Sequence, residues 1–256
     1  MRQQPYSPMS KQLGEDRFIC KYSLVFIKDS VSPIHQVDYD ANGYHDGLYD
    51  EFGIRRPVGL LKWVPQRQAQ FLAGRLAAKQ ALTSHKTTLA ESQIAIGNHR
   101  EPIWPTGCTG SISHSEQTSV ACVNQQLTER GGVGVDIQSN INKDTINKIA
   151  STVLSEKDSL IMKRGVADLT ESQLFTLLFS AKESVFKALF NTVGEYFDFQ
   201  TVSVENIDFD LQQVTIKTTI ALTKEIPEGT EINVSFLEMI IRTPRIITMC
   251  HWNYRA

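Results

Sequence analysis

The chain has 256 residues, with 26 Lys and Arg against 28 Asp and Glu, a formal net charge of −2 and 41% apolar residues. That balance excludes a general nucleic-acid binder, which would be strongly basic, and 15 glycines with 9 prolines are too few for a low-complexity chain. The length suffices for a sizeable core, as one large domain or two small ones.

The opening stretch to Gly14 is polar and predicts a frayed end. It lacks the apolar core of a signal peptide, and no apolar run reaches the ~18–20 residues of a membrane helix. A cytoplasmic protein without a membrane segment is therefore expected. Cys20, Cys108, Cys122 and Cys250 are far apart with no CxxC pair, which predicts buried thiols rather than a disulfide framework or a zinc site.

Phe18 to Ile27 is apolar and β-branched enough for a strand. Residues 28–60 have no clear period and read as a long irregular region, in which Asp38, Asp40, Asp46, Asp50 and Glu51 form a solvated acidic loop. Pro65 to Leu82 predicts a helix: proline suits its first turn, and Phe71, Leu72, Ala73 and Leu76 supply an apolar side. Arg75 and Lys79, four residues apart, are expected to share an exposed flank. A short strand at 94–96 precedes GNHREPIWPTGCTGSISHSEQTSVACV, which settles into alternating strand-like segments. A turn over 124–132 and a strand over 132–138 follow, so 118–123 and 132–138 predict a hairpin. Beyond Ser139 the character is helical, with one helix starting near 156 behind Ser155 and a longer one from Thr170 to Phe190. Strands follow over Val214–Ala221, Ile232–Leu237 and Ile246–Trp252. Each half holds helices and strands, with a boundary near 130–140; a duplicated α+β unit is compatible with this order.

Three segments carry candidate chemistry. In Phe179-Ser180-Ala181-Lys182-Glu183-Ser184-Val185-Phe186-Lys187, 100° per residue gathers Thr176, Ser180, Glu183, Ser184 and Lys187 on one polar arc. Lys182 falls in the apolar arc instead, either laying its stem along the core or aimed at a ligand phosphate. Glu183 and Lys187 are an i,i+4 pair in the favourable order. In Gly132-Val133-Gly134-Val135-Asp136-Ile137-Gln138, a strand puts Val133, Val135 and Ile137 on one face and Gly134, Asp136 and Gln138 on the other. A carboxylate and an amide oxygen beside a glycine can form the edge of a magnesium site, or the Asp can be a turn or cap residue. In Gly110-Ser111-Ile112-Ser113-His114-Ser115, small hydroxyls and an imidazole can hold phosphate oxygens. The absence of a GxSxG elbow disfavours a Ser-His nucleophile.

Taken in order, FLAGRLAAKQAL, REPIWPTGCTGSISHS, GVGVDIQ and FSAKESVFKALF resemble the Sfp-type 4′-phosphopantetheinyl transferases, and among them the enterobactin synthase component D-like enzymes of siderophore assembly. The resemblance covers roughly residues 65–190. It implies two similar α+β halves related by a pseudo-two-fold axis, here 1–134 and 135–256, with coenzyme A in the cleft between them. It implies transfer of the phosphopantetheine arm of coenzyme A to a serine of an apo carrier protein, with Mg2+ as cofactor, in a monomer. Asp136 and Glu183 match metal ligands. Gln138 stands where many members carry Glu. Lys182 and Lys187 match the lysines of the helix motif, His114 and Ser113 the phosphate-contacting segment, and Arg75 and Arg100 more loosely the residues at the nucleotide end. Glu183 is the candidate general base, with Lys187 on the coenzyme A phosphates. Two other readings stay open: a non-catalytic binder of coenzyme A or a carrier, and a metal-dependent phosphodiesterase using Asp136 and Glu183. On the transferase reading, the near-zero net charge conceals a locally mixed site.

Overall fold

The computed structural model describes residues 18–28, 30, 32–125, 131–166, 169–241 and 243–253. Among these the chain is an α+β protein built on two antiparallel sheets. The polar opening stretch and most of the predicted 124–132 turn lie outside the described residues.

The first sheet begins with β1 (Ile19–Val25) and β2 (Ile34–Tyr39), followed by the short helix α1 (Leu48–Glu51) and the long helix α2 (Pro65–His85). A small hairpin, β3 (Ala95–Ile96) and β4 (Pro102–Ile103), leads into β5 (Cys108–Ser115) and β6 (Thr118–Gln125). The strand order is β1-β2-β6-β5. Pro65 opens α2, where its missing N–H has no partner to lose. Leu72, Ala73, Leu76 and Ala77 pack with Val37, Tyr39, Tyr49 and Ala121 into a core under this sheet. The expectation of an exposed Arg75–Lys79 flank is corrected: Arg75 is only 8% exposed, and Lys79 Nζ donates to Phe52 O at 3.0 Å. An alanine-rich helix packs its backbone close to the sheet, so less of its circumference stays in water.

The second sheet opens with β7 (Gly132–Ser139). The helices α3 (Lys143–Val153), α4 (Glu156–Arg164) and α5 (Glu171–Val193) follow, then β8 (Val202–Asp208), β9 (Gln213–Thr218), β10 (Glu231–Ile241) and β11 (Thr243–Trp252), in strand order β7-β11-β10-β9-β8. Ser155 and Asp158 close a capping box on α4, as the Ser155 start predicts. Thr170 and Gln173 do the same on α5, and Gly194 in the left-handed region ends it. Leu174, Leu178, Ala181, Val185 and Ala188 of α5 pack on Val202, Val204, Val214, Ile216 and Val234.

The hairpin expected between 118–123 and 132–138 does not form. β6 pairs with β5 across a two-residue turn at Glu116 and Gln117, and with β2; β7 pairs with β11, Asp136 opposite Thr248. The alternation in β7 is as read, but its apolar face is used differently. Val133, Val135 and Ile137 join Ile34, Val120, Cys122, Ile247 and Met249 in a core between the two sheets. Period-2 alternation says that one face is buried; it does not say which neighbour supplies the backbone partners.

β5 and β7 are both edge strands, and a row of hydroxyls joins them. Ser111 Oγ accepts from Val135 N at 3.0 Å, Ser113 Oγ from Ile137 N at 3.3 Å and Ser115 Oγ from Ser139 N at 3.0 Å. The i, i+2, i+4 spacing puts the three serines on one face. They satisfy the open N–H groups of β7. The motif read as a phosphate cradle is in large part the seam between the sheets.

Candidate active site

The site is assembled where α5 crosses β7. An added Cβ at Gly134 would lie 1.8 Å from Ser184 O, and one at Gly132 2.0 Å from Ala188 O. Glycine at both positions thus lets helix and strand backbones touch. That close approach brings the polar arc of α5 down onto Asp136. Thr176, Ser180 and Ser184 are buried, so this arc faces the second sheet rather than water.

Asp136, 4% exposed, is gripped on both oxygens. Its Oδ1 accepts from Ser113 Oγ and from Lys187 Nζ, each at 2.7 Å, and its Oδ2 accepts from Ser180 Oγ at 2.8 Å. Thr248 of β11 supports Ser180 by donating to its backbone oxygen at 2.8 Å. Lys187 also donates to Val135 O at 3.2 Å and stands 3.6 Å from Glu183 Oε2. One ammonium therefore lies between two carboxylates. Burial pulls the Lys187 pKa down, but Asp136 and Glu183 outweigh it and the net shift is upward, so the lysine stays charged. Burial pushes Glu183 up, opposed by Lys187 and reinforced by Asp136.

Beside this cluster lie two cavities that share Arg100, Pro102 and Ile112 as walls. The larger, about 550 Å³, is walled by Arg67, Arg75, Arg100 and His114 together with Trp63 and Phe71. Arg75 is held by its guanidinium over the Phe71 ring at 4.5 Å, and its Nε is buried without a hydrogen-bond partner. Burial lowers its pKa to about 10, which leaves it a cation at neutral pH. Arg67 Nη1 lies 2.9 Å from His114 Nε2. Burial, then Arg67 and Lys187, depress the His114 pKa to about 4. The imidazole is thus neutral, with Nε2 accepting from Arg67 and the proton on Nδ1. The smaller cavity, about 240 Å³, runs past Lys187 along the end of α5 between Trp104, Phe186, Phe190 and Tyr196. Three cations and a neutral imidazole beside aromatic walls suit an anionic, ring-bearing ligand.

Sequence reasoning and structure part company over several residues. Asp136, Glu183 and Lys187 meet as a unit, and Arg75, Arg100 and His114 line the adjoining cavity. Ser113 is turned onto Asp136 rather than left open to a ligand. Lys182 is corrected: it is 0% exposed and donates to Asp158 Oδ2 at 2.5 Å and to Val153 O and Phe199 O at 2.9 Å each. All three of its N–H groups are used inside the second half, and burial pulls its pKa down against the pull of Asp158. Sequence reasoning missed Arg67 and Thr248, and it put Ser180 on the polar arc of α5 without giving it a role at Asp136. Arg67 was within reach, because 67, 70/71 and 74/75 share one face of α2 and all line the same cavity. Thr248 carried no signal, being brought opposite Asp136 only by β7–β11 pairing.

The donor set admits a divalent cation. Asp136 and Glu183 converge on the point now marked by Lys187 Nζ, and hard carboxylate oxygens are what magnesium takes. No cluster of three or more His, Cys, Asp or Glu side chains with metal-binding geometry occurs among the described residues. Gln138, on the same face of β7, donates its amide to Ser139 O at 3.3 Å and has only its oxygen to offer a metal.

Comparison with known proteins bears on the same segments. The chain matches enterobactin synthase component D of Salmonella typhi at 34% identity over 62% of this chain and 63% of that protein. It matches that of Escherichia coli K12 at 34% over 59% of this chain and 66% of that one. The 4′-phosphopantetheinyl transferase Npt of Nocardia iowensis matches at 29% identity over 57% of this chain and 62% of that protein. The matched region is thus a little under two thirds of these relatives' length. The model of the 4′-phosphopantetheinyl transferase N-terminal domain matches residues 58–124, which carry α2 and the hydroxyl seam, and that of the superfamily matches residues 132–233, which carry β7 and α5. With both models in order across most of the described chain, the protein belongs to the 4′-phosphopantetheinyl transferase superfamily.

Proposed function

We propose that this protein transfers the 4′-phosphopantetheine arm of coenzyme A to a serine of an apo carrier protein, releasing 3′,5′-ADP, in siderophore assembly of the enterobactin kind. The observation that carries it is the Lys187 ammonium held between Asp136 and Glu183 in the wall of the smaller cavity, which shares Arg100, Pro102 and Ile112 with the larger one. We take the two sheets, each with its long helix, as two related halves that work as a monomer in the cytoplasm; the 1–134 and 135–256 division falls inside β7, so we set the boundary just before Gly132.

In this reading Arg67, Arg75 and Arg100 hold the nucleotide end in the larger cavity, and the neutral His114 donates from Nδ1. The aromatic cavity receives the pantetheine arm. The carrier serine oxygen forms a bond to the β-phosphorus, the bond from that phosphorus to the bridging oxygen breaks, and the electron pair leaves with 3′,5′-ADP. Glu183 takes the serine proton, directly or through a water, helped by an environment that raises its basicity. Lys187 neutralises charge on the phosphates. Mg2+, held by Asp136 and Glu183 with Gln138 as a neutral third member, would add charge neutralisation at the pyrophosphate. Ser113 and Ser180 keep Asp136 aligned throughout.

The test is mass spectrometry of an apo carrier domain after incubation with coenzyme A and magnesium. A mass gain of one phosphopantetheine is expected, reduced at least 100-fold in initial rate for Glu183→Gln and for Asp136→Asn. Released nucleotide with an unmodified carrier would favour the phosphodiesterase instead.

A further inference from the structure

The turn that carries Arg100 is built against a backbone preference. Arg100 has φ 68°, in the left-handed region that disfavours a residue with a Cβ, and it lies in the turn of the β3–β4 hairpin. Arg100 N donates to Gly97 O at 3.1 Å, and Gly97 N to Glu101 O at 2.8 Å. The Glu101 side chain folds back over this turn. Its Oε2 accepts from His99 N at 2.8 Å, and an added Cβ at Gly97 would lie 1.8 Å from its Oε1. The peptide that joins His99 to Arg100 is held from the other half of the molecule, where Tyr196 Oη donates to His99 O at 2.5 Å.

Tyr196 reaches that carbonyl because of how α5 ends. Gly194, in the left-handed region, turns the chain back along the helix. The Tyr196 ring then stacks on Phe186 at 5.6 Å and 19°, and the His99 ring stands edge-on to Tyr196 and Phe190 at 5.7 and 5.8 Å. Tyr196 is nevertheless 62% exposed. A hydroxyl so open to water gains little stability from one hydrogen bond, so the bond matters for what it orients. Arg100 is the one cation lining both cavities. It is exposed, and its guanidinium has no hydrogen-bond or ion-pair partner among the described residues. Arg67 and Arg75 stand on a long helix; Arg100 stands on a turn between two strands of two residues each, which by itself orders it poorly.

We infer that Tyr196 and Glu101 are positioning residues for Arg100. The hydroxyl from the second half and the carboxylate from the turn itself fix the two peptide groups of His99, and Arg100 is thereby preorganised in the wall common to the two cavities. The inference rests on the transferase reading, in which Arg100 meets coenzyme A. It adds that the second half sets how well the first half holds that ligand.

The test is steady-state transfer by the full chain with saturating apo carrier and varied coenzyme A. Tyr196→Phe keeps the ring stack and removes only the donor. It is expected to raise the KM for coenzyme A about fivefold, with kcat lowered less than about twofold. Glu101→Ala should raise that KM about tenfold, and Glu101→Gln, which keeps an acceptor oxygen for His99 N, should recover most of the loss. In an Arg100→Ala background, adding Tyr196→Phe should change the KM by less than about 1.5-fold, because nothing remains to be positioned. An unchanged KM in Tyr196→Phe overturns the proposal, whether or not the melting temperature falls. So does an equal rise in both backgrounds, which would make Tyr196 a direct contact of the ligand. Should wild type transfer nothing, the transferase reading fails by itself, and calorimetric titration of coenzyme A into the same four proteins decides the positioning role separately. Weaker binding by Tyr196→Phe that disappears in the Arg100→Ala background sustains it; equal affinities, or no binding by wild type, overturn it.

Discussion

Lys182 and Lys187 stand five residues apart on one helix, about 140° apart around its axis. One points into the second half and ties α5 to the C-terminus of α3, to the α4 cap and, through Asp158 Oδ1 accepting from Val204 N at 2.8 Å, to β8. The other faces β7 and lies between Asp136 and Glu183. Removing the first leaves a buried carboxylate without its counter-ion, a loss of about 3–5 kcal/mol. Lys182→Met is therefore expected to lower Tm on the order of 10 °C while the folded fraction keeps its turnover within a few-fold. Lys187→Met also leaves a buried carboxylate, Asp136, without its counter-ion and should lower Tm by a similar amount, but it should cut turnover of the folded fraction at least 100-fold. Carrier modification measured per folded molecule separates the two, and equal turnover losses would undo the assignment. Both lysines were legible as members of a motif. Which of them pairs with Asp136 and which with Asp158 was not, because Asp158 reads in sequence only as a helix cap.

At the scale of elements, the contact that makes the site is between α5 and β7, and it depends on missing atoms. Gly134→Ala would set a methyl 1.8 Å from Ser184 O, a backbone atom that cannot swing away. Helix and strand must separate, at a cost on the order of 1–3 kcal/mol. The displaced helix takes Ser180 and Lys187 away from Asp136. Gly134→Ala is thus expected to reduce transfer at least tenfold even where the protein stays folded by circular dichroism. Full activity in that variant would mean that the close approach is dispensable. The alternation of GVGVDIQ was enough to place Asp136 opposite the valines, and the 3.6-residue period was enough to group Glu183 with Lys187. Neither could say that the polar arc of α5 turns inward, since a polar arc faces water unless another polar element covers it. The serines of β5 and Thr248 of β11 are that cover.

Across the whole molecule the histidines set the acid limit. Burial depresses His35 to about 4; burial, then Arg67 and Lys187, do the same to His114; and burial lowers His251. These bases bind protons less readily folded than unfolded, so acid favours the unfolded state. Their contribution is intact above an unfolded pKa near 6.5; for His35 and His114 it is lost as pH falls from there toward 4, and for His251 it is lost in the same direction. Each costs up to about 1.4 kcal/mol per pH unit in that window. Stability measured by urea is expected to fall steeply between pH 6.5 and 5, where ordinary carboxylates hardly titrate, and His35→Gln should flatten the slope. A flat profile down to pH 5 would contradict it.

The sequence by itself determined the local chemistry: which residues could carry charge or take a metal, where the long helices begin, and which face of β7 is apolar. Capping boxes, proline at a first turn and hydrophobic period are interactions within a few residues, so they survive in any tertiary setting. Only the tertiary structure decided the partners. It turned the serines of SISHS into a seam, gave Lys182 to Asp158 and Lys187 to Asp136, buried Arg75, and left Val58, Leu61 and Val64 in water. Each of those outcomes depends on residues distant in the chain coming within contact, and periodicity carries no information about distance beyond its own element.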